Sequence, residues 1–223
     1  MTNNNPITAA LLKSMCFKHT GKMTGMSSVS TACTLNPYCI KRHENNDSVC
    51  GHCYAFRMLL AYKGLREKAE NNTRIWSETI YSDSIMPRLN CEKFRLEAFG
   101  DIFNTTQVLN YFALCRANKK THFALWTKNP QVIYSALESN GFKKPGNLVI
   151  VYSSPALNTP ASNVRRLYIL PDGSPMIDKI FTVYTPDYIK ENSISINCGA
   201  KSCVSCGRCY TKRTGAEVRE KLK

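Results

Sequence analysis

Apolar positions along the middle of the chain alternate between a helical and an extended period. Helical spacing runs over residues 55–68, where Leu59, Leu60 and Tyr62 recur, and over residues 70–84, where Ile75, Trp76 and Ile80 do; Pro87 is expected to stop the second helix. Residues 94–99 alternate as a strand and are followed by Gly100 and Asp101. Thr105 is placed to cap a helix carrying Val108, Leu109, Phe112 and Cys115. A strand over 122–127 precedes a helix opened by Pro130 and closed by Gly141. Residues 148–152 form an unbroken apolar run, as in a strand buried on both faces of a parallel sheet, and 179–184 reads as one more strand. Strands and helices in alternation predict an α/β fold with a parallel sheet, open or partly closed into an irregular (β/α) barrel, with cysteine-rich loops at both ends.

A chain of 223 residues, 43% hydrophobic, can bury a substantial core. A single domain is expected: an N-terminal segment over 1–25, a β/α core over 26–190 that includes a front cysteine loop, and a cysteine-rich basic segment over 191–223. The first sixteen residues hold an apolar patch too short for a secretory signal or a membrane span, so a cytoplasmic protein without a membrane partner is expected. No internal repeat, low-complexity tract or long linker interrupts the pattern.

Composition adds a partner class. The formal net charge of +14 favours an anionic partner such as nucleic acid, a nucleotide or a phosphorylated substrate, although basic residues also serve solubility. They are densest from Gly199 onward, where Lys201, Arg208, Lys212, Arg213, Arg219, Lys221 and Lys223 face only Glu217 and Glu220. The oligomeric state is open.

Cysteines supply the strongest chemical signal. Eight of the eleven form two tetrads, Cys33, Cys39, Cys50 and Cys53 in front and Cys198, Cys203, Cys206 and Cys209 behind. Four sulfurs on short, turn-rich loops are the ligand set of an iron-sulfur cluster or a zinc ion. In the rear tetrad, Cys-x4-Cys-x2-Cys has the spacing of a plant-type ferredoxin loop, with a fourth cysteine directly after it, while Gly199 and Gly207 permit tight turns. The front tetrad is looser, although its Cys50-x2-Cys53 pair is a strong ligand signature. His43 and His52 offer a Cys3His alternative there. Spacing does not separate [4Fe-4S] from zinc. Disulfides are disfavoured, because close cysteines rarely bridge and no secretion signal places the chain in an oxidising compartment. Cys16, Cys91 and Cys115 read as ordinary buried thiols.

Each predicted strand is followed by polar residues: Gly100-Asp101, Thr127-Lys128-Asn129, Ser153-Ser154 and Thr185. In a parallel α/β sheet these emerge together at the C-terminal edge, where such folds build active sites. Asp101 and Lys128 are therefore the candidate catalytic pair, and Gly100 and Ser153 candidate cofactor contacts. No phosphate-binding loop, GxSxG elbow or HExxH helix is present.

The segments GKMTGMSSVSTAC, CGHCYA, FRLEAFGDIF, FALWTKN and INCGAKSCVSCGRCY, in that order from Gly21 to Tyr210, resemble the bacteriophage gene product 88 domain family. That family looks related to the radical S-adenosylmethionine (SAM) α/β barrels. The resemblance implies a cysteine-rich front loop on Cys33, Cys39, Cys50 and Cys53, a Gly-Asp element on Gly100 and Asp101, a strand-ending Thr-Lys on Thr127 and Lys128, and terminal cysteines on Cys198, Cys203, Cys206 and Cys209. It departs from the radical SAM pattern, because only the last CxxC of the usual CxxxCxxC is present in front. A full set of four cysteines leaves no iron vacant for SAM. The expectation is an iron-sulfur protein, with one cluster or two and with SAM as a further candidate cofactor, built on a radical-SAM-like scaffold and acting as an enzyme on an anionic or nucleic-acid-related substrate. The alternatives are a non-catalytic iron-sulfur protein that binds nucleic acid and a zinc-structured interaction module.

Overall fold

The computed structural model describes residues 5–15, 17–212 and 215–222. Six strands lie side by side in the order in which the chain makes them: β1 (Ser27–Val29), β2 (Lys93–Leu96), β3 (His122–Thr127), β4 (Leu148–Ser153), β5 (Lys179–Tyr184) and β6 (Glu217–Lys221). Every neighbouring pair is parallel. The helices are α1 (Pro6–Ser14), α2 (Pro37–His43), α3 (Tyr54–Ala61), α4 (Lys63–Ser77), α5 (Thr105–Ala117), α6 (Pro130–Ser139), α7 (Val164–Leu167), α8 (Pro186–Glu191) and α9 (Cys203–Cys206). A strand order without reversal winds in one direction, as a barrel does, whereas a doubly wound sheet reverses at a switch point. The sheet nevertheless stays open, with β1 and β6 as edges. Among the described residues the sheet is thus not closed into a barrel, while the α/β class and the parallel sheet are present.

Strand alternation explains the layers. Val29, Phe94, Leu96, Phe123, Leu125, Leu148, Ile150 and Ile180 join one buried cluster with Leu11 of α1, Trp76 of α4, Phe112 of α5 and Ile133 of α6. The intervening positions face the other way. There Val149, Val151, Phe181, Val183 and Val218 pack with Trp126, Cys198 and Cys209, and Met26, Ala124 and Tyr210 with Cys203. One sheet face is therefore covered by helices and the other by the rear cysteine segment. Across this second face, Lys22 Nζ, just ahead of β1, donates to Glu220 of β6 at 2.9 Å and to the Cys198 carbonyl at 2.8 Å.

Several boundaries differ from the sequence expectation. The helix read over 55–68 breaks at Tyr62, which is extended, and the next helix ends at Ser77 rather than at Pro87. Side chains from α5 and its cap end it: Asn110 Nδ2 donates to the carbonyls of Trp76 and Thr79, and Asn104 Nδ2 to that of Ser77. Ile80, expected in the helical stripe, is 61% exposed. The strand read over 94–99 stops at Leu96, because Glu97 takes a left-handed φ of 55°. Asn104, not Thr105, caps α5 by accepting from the Gln107 amide. Strands β1 and β6 were not anticipated. Cys115 is fully buried and Cys91 half-buried, while Cys16 lies outside the described residues.

Candidate metal centres

The front site assembles at the C-terminal ends of β1, β2 and β3. Beyond Val29 the chain carries Cys33 into α2, which holds Cys39; the loop after α2 holds Cys50, and Cys53 occupies the N-cap of α3. Gly51 lets this loop fold on itself, since a Cβ there would stand 2.4 Å from the Asn45 carbonyl oxygen. All four thiols line one cleft with Tyr38, His43, Phe56, Gly100, Asp101 and Lys128.

The thiols act on one another electrically. A hydrogen bond between Cys33 and Cys53 holds the Cys33 thiol far above its ordinary value, and burial pushes it the same way. The same bond lowers Cys53 against the cost of burial, helped by the Phe56 and Ala55 amides at the start of α3 and by Lys128. Cys39 and Cys50 are raised, chiefly by burial, with neighbouring cysteines adding to it. Four thiols crowded in a poorly solvated cleft suit replacement of their protons by a metal. His43 also lines the cleft: its Nδ1 lies 2.9 Å from the Cys50 carbonyl oxygen and its ring stacks on Phe56 at 4.0 Å, which leaves Nε2 as the nitrogen a Cys3His site would use. His52 does not line the cleft.

Asp101 is buried, and protein donors occupy both its oxygens. Oδ1 accepts from Thr127 Oγ1 at 2.6 Å and from the Ile102 amide at 2.8 Å, and Oδ2 from the Lys128 amide at 2.7 Å. Burial raises its pKa; Lys128 and these donors oppose the rise. The carboxylate thus ties the end of β2 to the end of β3 and sets Lys128 beside the thiols. Tyr38 adds a second tie, its hydroxyl donating to the Lys128 carbonyl at 2.6 Å. Gly100, at φ 95°, is required sterically, because a Cβ would meet the Thr31 carbonyl oxygen at 2.6 Å. Ser153 is buried at the end of β4 and does not line the cleft.

Glu97 was missed from the sequence. It is fully buried, and its Oε1 accepts from Thr31 Oγ1, Gln107 Nε2 and Tyr111 Oη at 3.2, 2.6 and 2.6 Å, while Oε2 accepts from the Thr31 amide at 3.2 Å. Burial raises it to about 8, with the Tyr111 and Thr31 hydrogen bonds opposing. It fixes the segment from β1 to Cys33 against α5. A lone acidic residue inside an otherwise apolar strand end was the available signal.

The rear tetrad sits on the sheet face opposite α1, α4, α5 and α6. Cys203 and Cys206 lie on α9, which Gly207 ends at φ 61°, and Cys209 lies in the 3-10 turn Arg208–Tyr210. The Cys198 amide donates to the Arg219 carbonyl at 3.0 Å, pinning the first ligand to β6. Burial raises Cys198 and Cys203, and brings Cys209 to about 12, with the other rear thiols adding to each. The tetrads pack in different clusters: Cys33, Cys39 and Cys53 with Ala55 and Leu59, and Cys198, Cys203 and Cys209 with Trp126. Among the described residues no three His, Cys, Asp or Glu side chains already stand as the ligands of one metal ion. The fit is therefore one of donor chemistry and proximity.

Residues 2–216 match the family model described as Gene product 88. The chain belongs to the Gene product 88 family. Both tetrads, Asp101 and Lys128 fall within the matched span. No curated protein and no solved structure matches the chain. Among the described residues of this Gene product 88 protein, no helix is long and apolar enough to cross a membrane.

Proposed function

We propose that this protein holds two four-cysteine metal centres, [4Fe-4S] clusters in the first instance, and that the front one belongs to an enzyme active site on a radical-SAM-like scaffold. One observation carries the reading: Cys33, Cys39, Cys50 and Cys53 share a cleft with Gly100, Asp101 and Lys128 at the C-terminal edge of a parallel sheet. Such a cluster, when bound, supplies one-electron transfer. The chain's own part is positioning and charge. Lys128 places a cation beside the thiols, and Arg42, over the Tyr38 ring at 5.2 Å, brings a second one near Cys50. Two cations at the cleft favour an anionic substrate, nucleic-acid-related ones included. Asp101, its oxygens engaged, holds Lys128 in place and is a positioning residue.

The test is oxygen-free purification with iron, sulfide and zinc analysis. Brown protein whose iron falls when Cys53→Ser is introduced supports the reading. Colourless protein with stoichiometric zinc would replace it with a zinc-structured module, and absence of both metals would overturn it. With iron present, measured SAM binding would show that one front cysteine leaves an iron open. Salt-dependent binding of RNA or DNA would identify the anionic partner.

A further inference from the structure

The sheet face beneath the rear tetrad is cationic. Strand alternation puts Lys93 and Arg95 of β2 on it, the register sets Arg95 opposite Ala124 and Val151 opposite Lys179, and Lys22 reaches over from ahead of β1. The three lysines engage the cysteine segment. Lys93 Nζ donates to the Val204 carbonyl at 3.0 Å, Lys22 Nζ lies 4.0 Å from Cys198 Sγ, and Cys209 bears on Lys179. Glu220 answers Lys22, and the exposed Glu92 answers Lys93.

Arg95 has no such answer. Among the described residues it makes no salt bridge: its guanidinium lies over the Trp126 ring at 4.1 Å, Nε reaches the Glu97 carbonyl at 3.4 Å and Nη1 the Met23 sulfur at 3.7 Å. Trp126 shows a complementary deficit. Its Nε1 is out of water with no hydrogen-bond partner, and its ring packs in the same clusters as Cys198, Cys203 and Cys209. An unbalanced cation and an unused N–H beside Cys198, Cys203 and Cys209 are the complement of a centre that is anionic and rich in sulfur acceptors. Four thiolates around a zinc ion or a [4Fe-4S] cluster form such a centre.

We infer that Arg95 is the counter-ion of the rear metal centre and that Trp126 Nε1 supplies a hydrogen bond to one of its sulfurs, so that both residues govern metal retention there. This inference rests on the reading of the rear tetrad as a metal site. Wild-type protein, Cys206→Ser, Arg95→Gln, Arg95→Lys and Trp126→Phe, all prepared without oxygen, are compared for metal retained against a chelator and for the absorption spectrum of the metal-bound chromophore. Cys206→Ser defines the rear centre's share of metal. Arg95→Gln is expected to weaken retention of that share by about 10–100-fold while leaving the front share unchanged, and Arg95→Lys to recover most of the loss. Trp126→Phe is expected to alter the rear spectrum and weaken retention by a smaller factor. Wild-type retention in both Arg95→Gln and Trp126→Phe would overturn the inference, as would equal loss from both centres, the mark of a general folding defect. Unchanged metal content in Cys206→Ser would instead show that the rear tetrad holds no metal, and the inference would fall with that reading.

Discussion

At the scale of single residues, the two buried carboxylates around the front cleft do different work. Asp101 joins strand ends through three donors, so Asp101→Asn turns an amide N–H toward at least one of them. The expected cost is about 1–3 kcal/mol in urea unfolding, with front-centre metal held more weakly and rear-centre metal unaffected. Glu97 is governed by burial, which raises its folded pKa to about 8 from an ordinary 4.5. A raised folded pKa means that its contribution is fully present below the unfolded pKa and is lost as pH rises through about 8. Melting temperature followed across that interval should therefore decline more steeply in the wild type than in Glu97→Gln, which keeps a carbonyl acceptor and cannot ionise. Equal slopes would show that Glu97 does not titrate there. The contrast also marks what could be read in advance: Asp101 advertises itself by following Gly100 after a strand, whereas Glu97 sits within FRLEAF, and only its left-handed backbone turns it inward to four donors.

At the scale of elements, short-range spacing was legible and long-range capping was not. The helix after Pro130 and the strands over 122–127, 148–152 and 179–184 stand where the apolar period placed them. The end of α4 did not, because Asn104 and Asn110 close it from α5, a contact that no local pattern announces. Strand β6 was hidden for another reason: EVREK carries one apolar residue, Val218, and looks like a solvated tail until β5 supplies its neighbour. In the cysteine loops, fixed spacing marked the tetrads, and glycine geometry explains how their loops turn. Gly51→Ala places a methyl against the Asn45 carbonyl and should disrupt the Cys50–Cys53 turn, reducing front-centre metal in elemental analysis with the rear share intact. Gly207→Ala forces a left-handed residue after α9 and crowds Lys93, so the loss is expected at the rear centre instead. Metal falling at both centres in either variant would contradict the independence of the two loops.

At the scale of the whole molecule, an open six-stranded sheet must protect a second face that α1, α4, α5 and α6 do not cover, and the segment after residue 190 does this. Two contacts compete as the reason it stays. Lys22 and Glu220 form an ion pair across the sheet, but both side chains keep about a quarter of their surface in water, where such a pair contributes about 0.2–1 kcal/mol. Val218 is 1% exposed and packs with Val149, Val151, Phe181 and Val183, so removing its two methyls costs both apolar transfer and a cavity, about 1–3 kcal/mol. Apolar burial by β6 is thus the stronger anchor, and the ion pair mainly sets where Lys22 sits beside Cys198. Val218→Ala is expected to lower the urea midpoint of metal-free protein more than Glu220→Gln does, whereas Glu220→Gln, by releasing Lys22, should have its larger effect on rear-centre metal retention. The reverse ranking in metal-free unfolding would mean that charge, not burial, holds the last strand against the sheet.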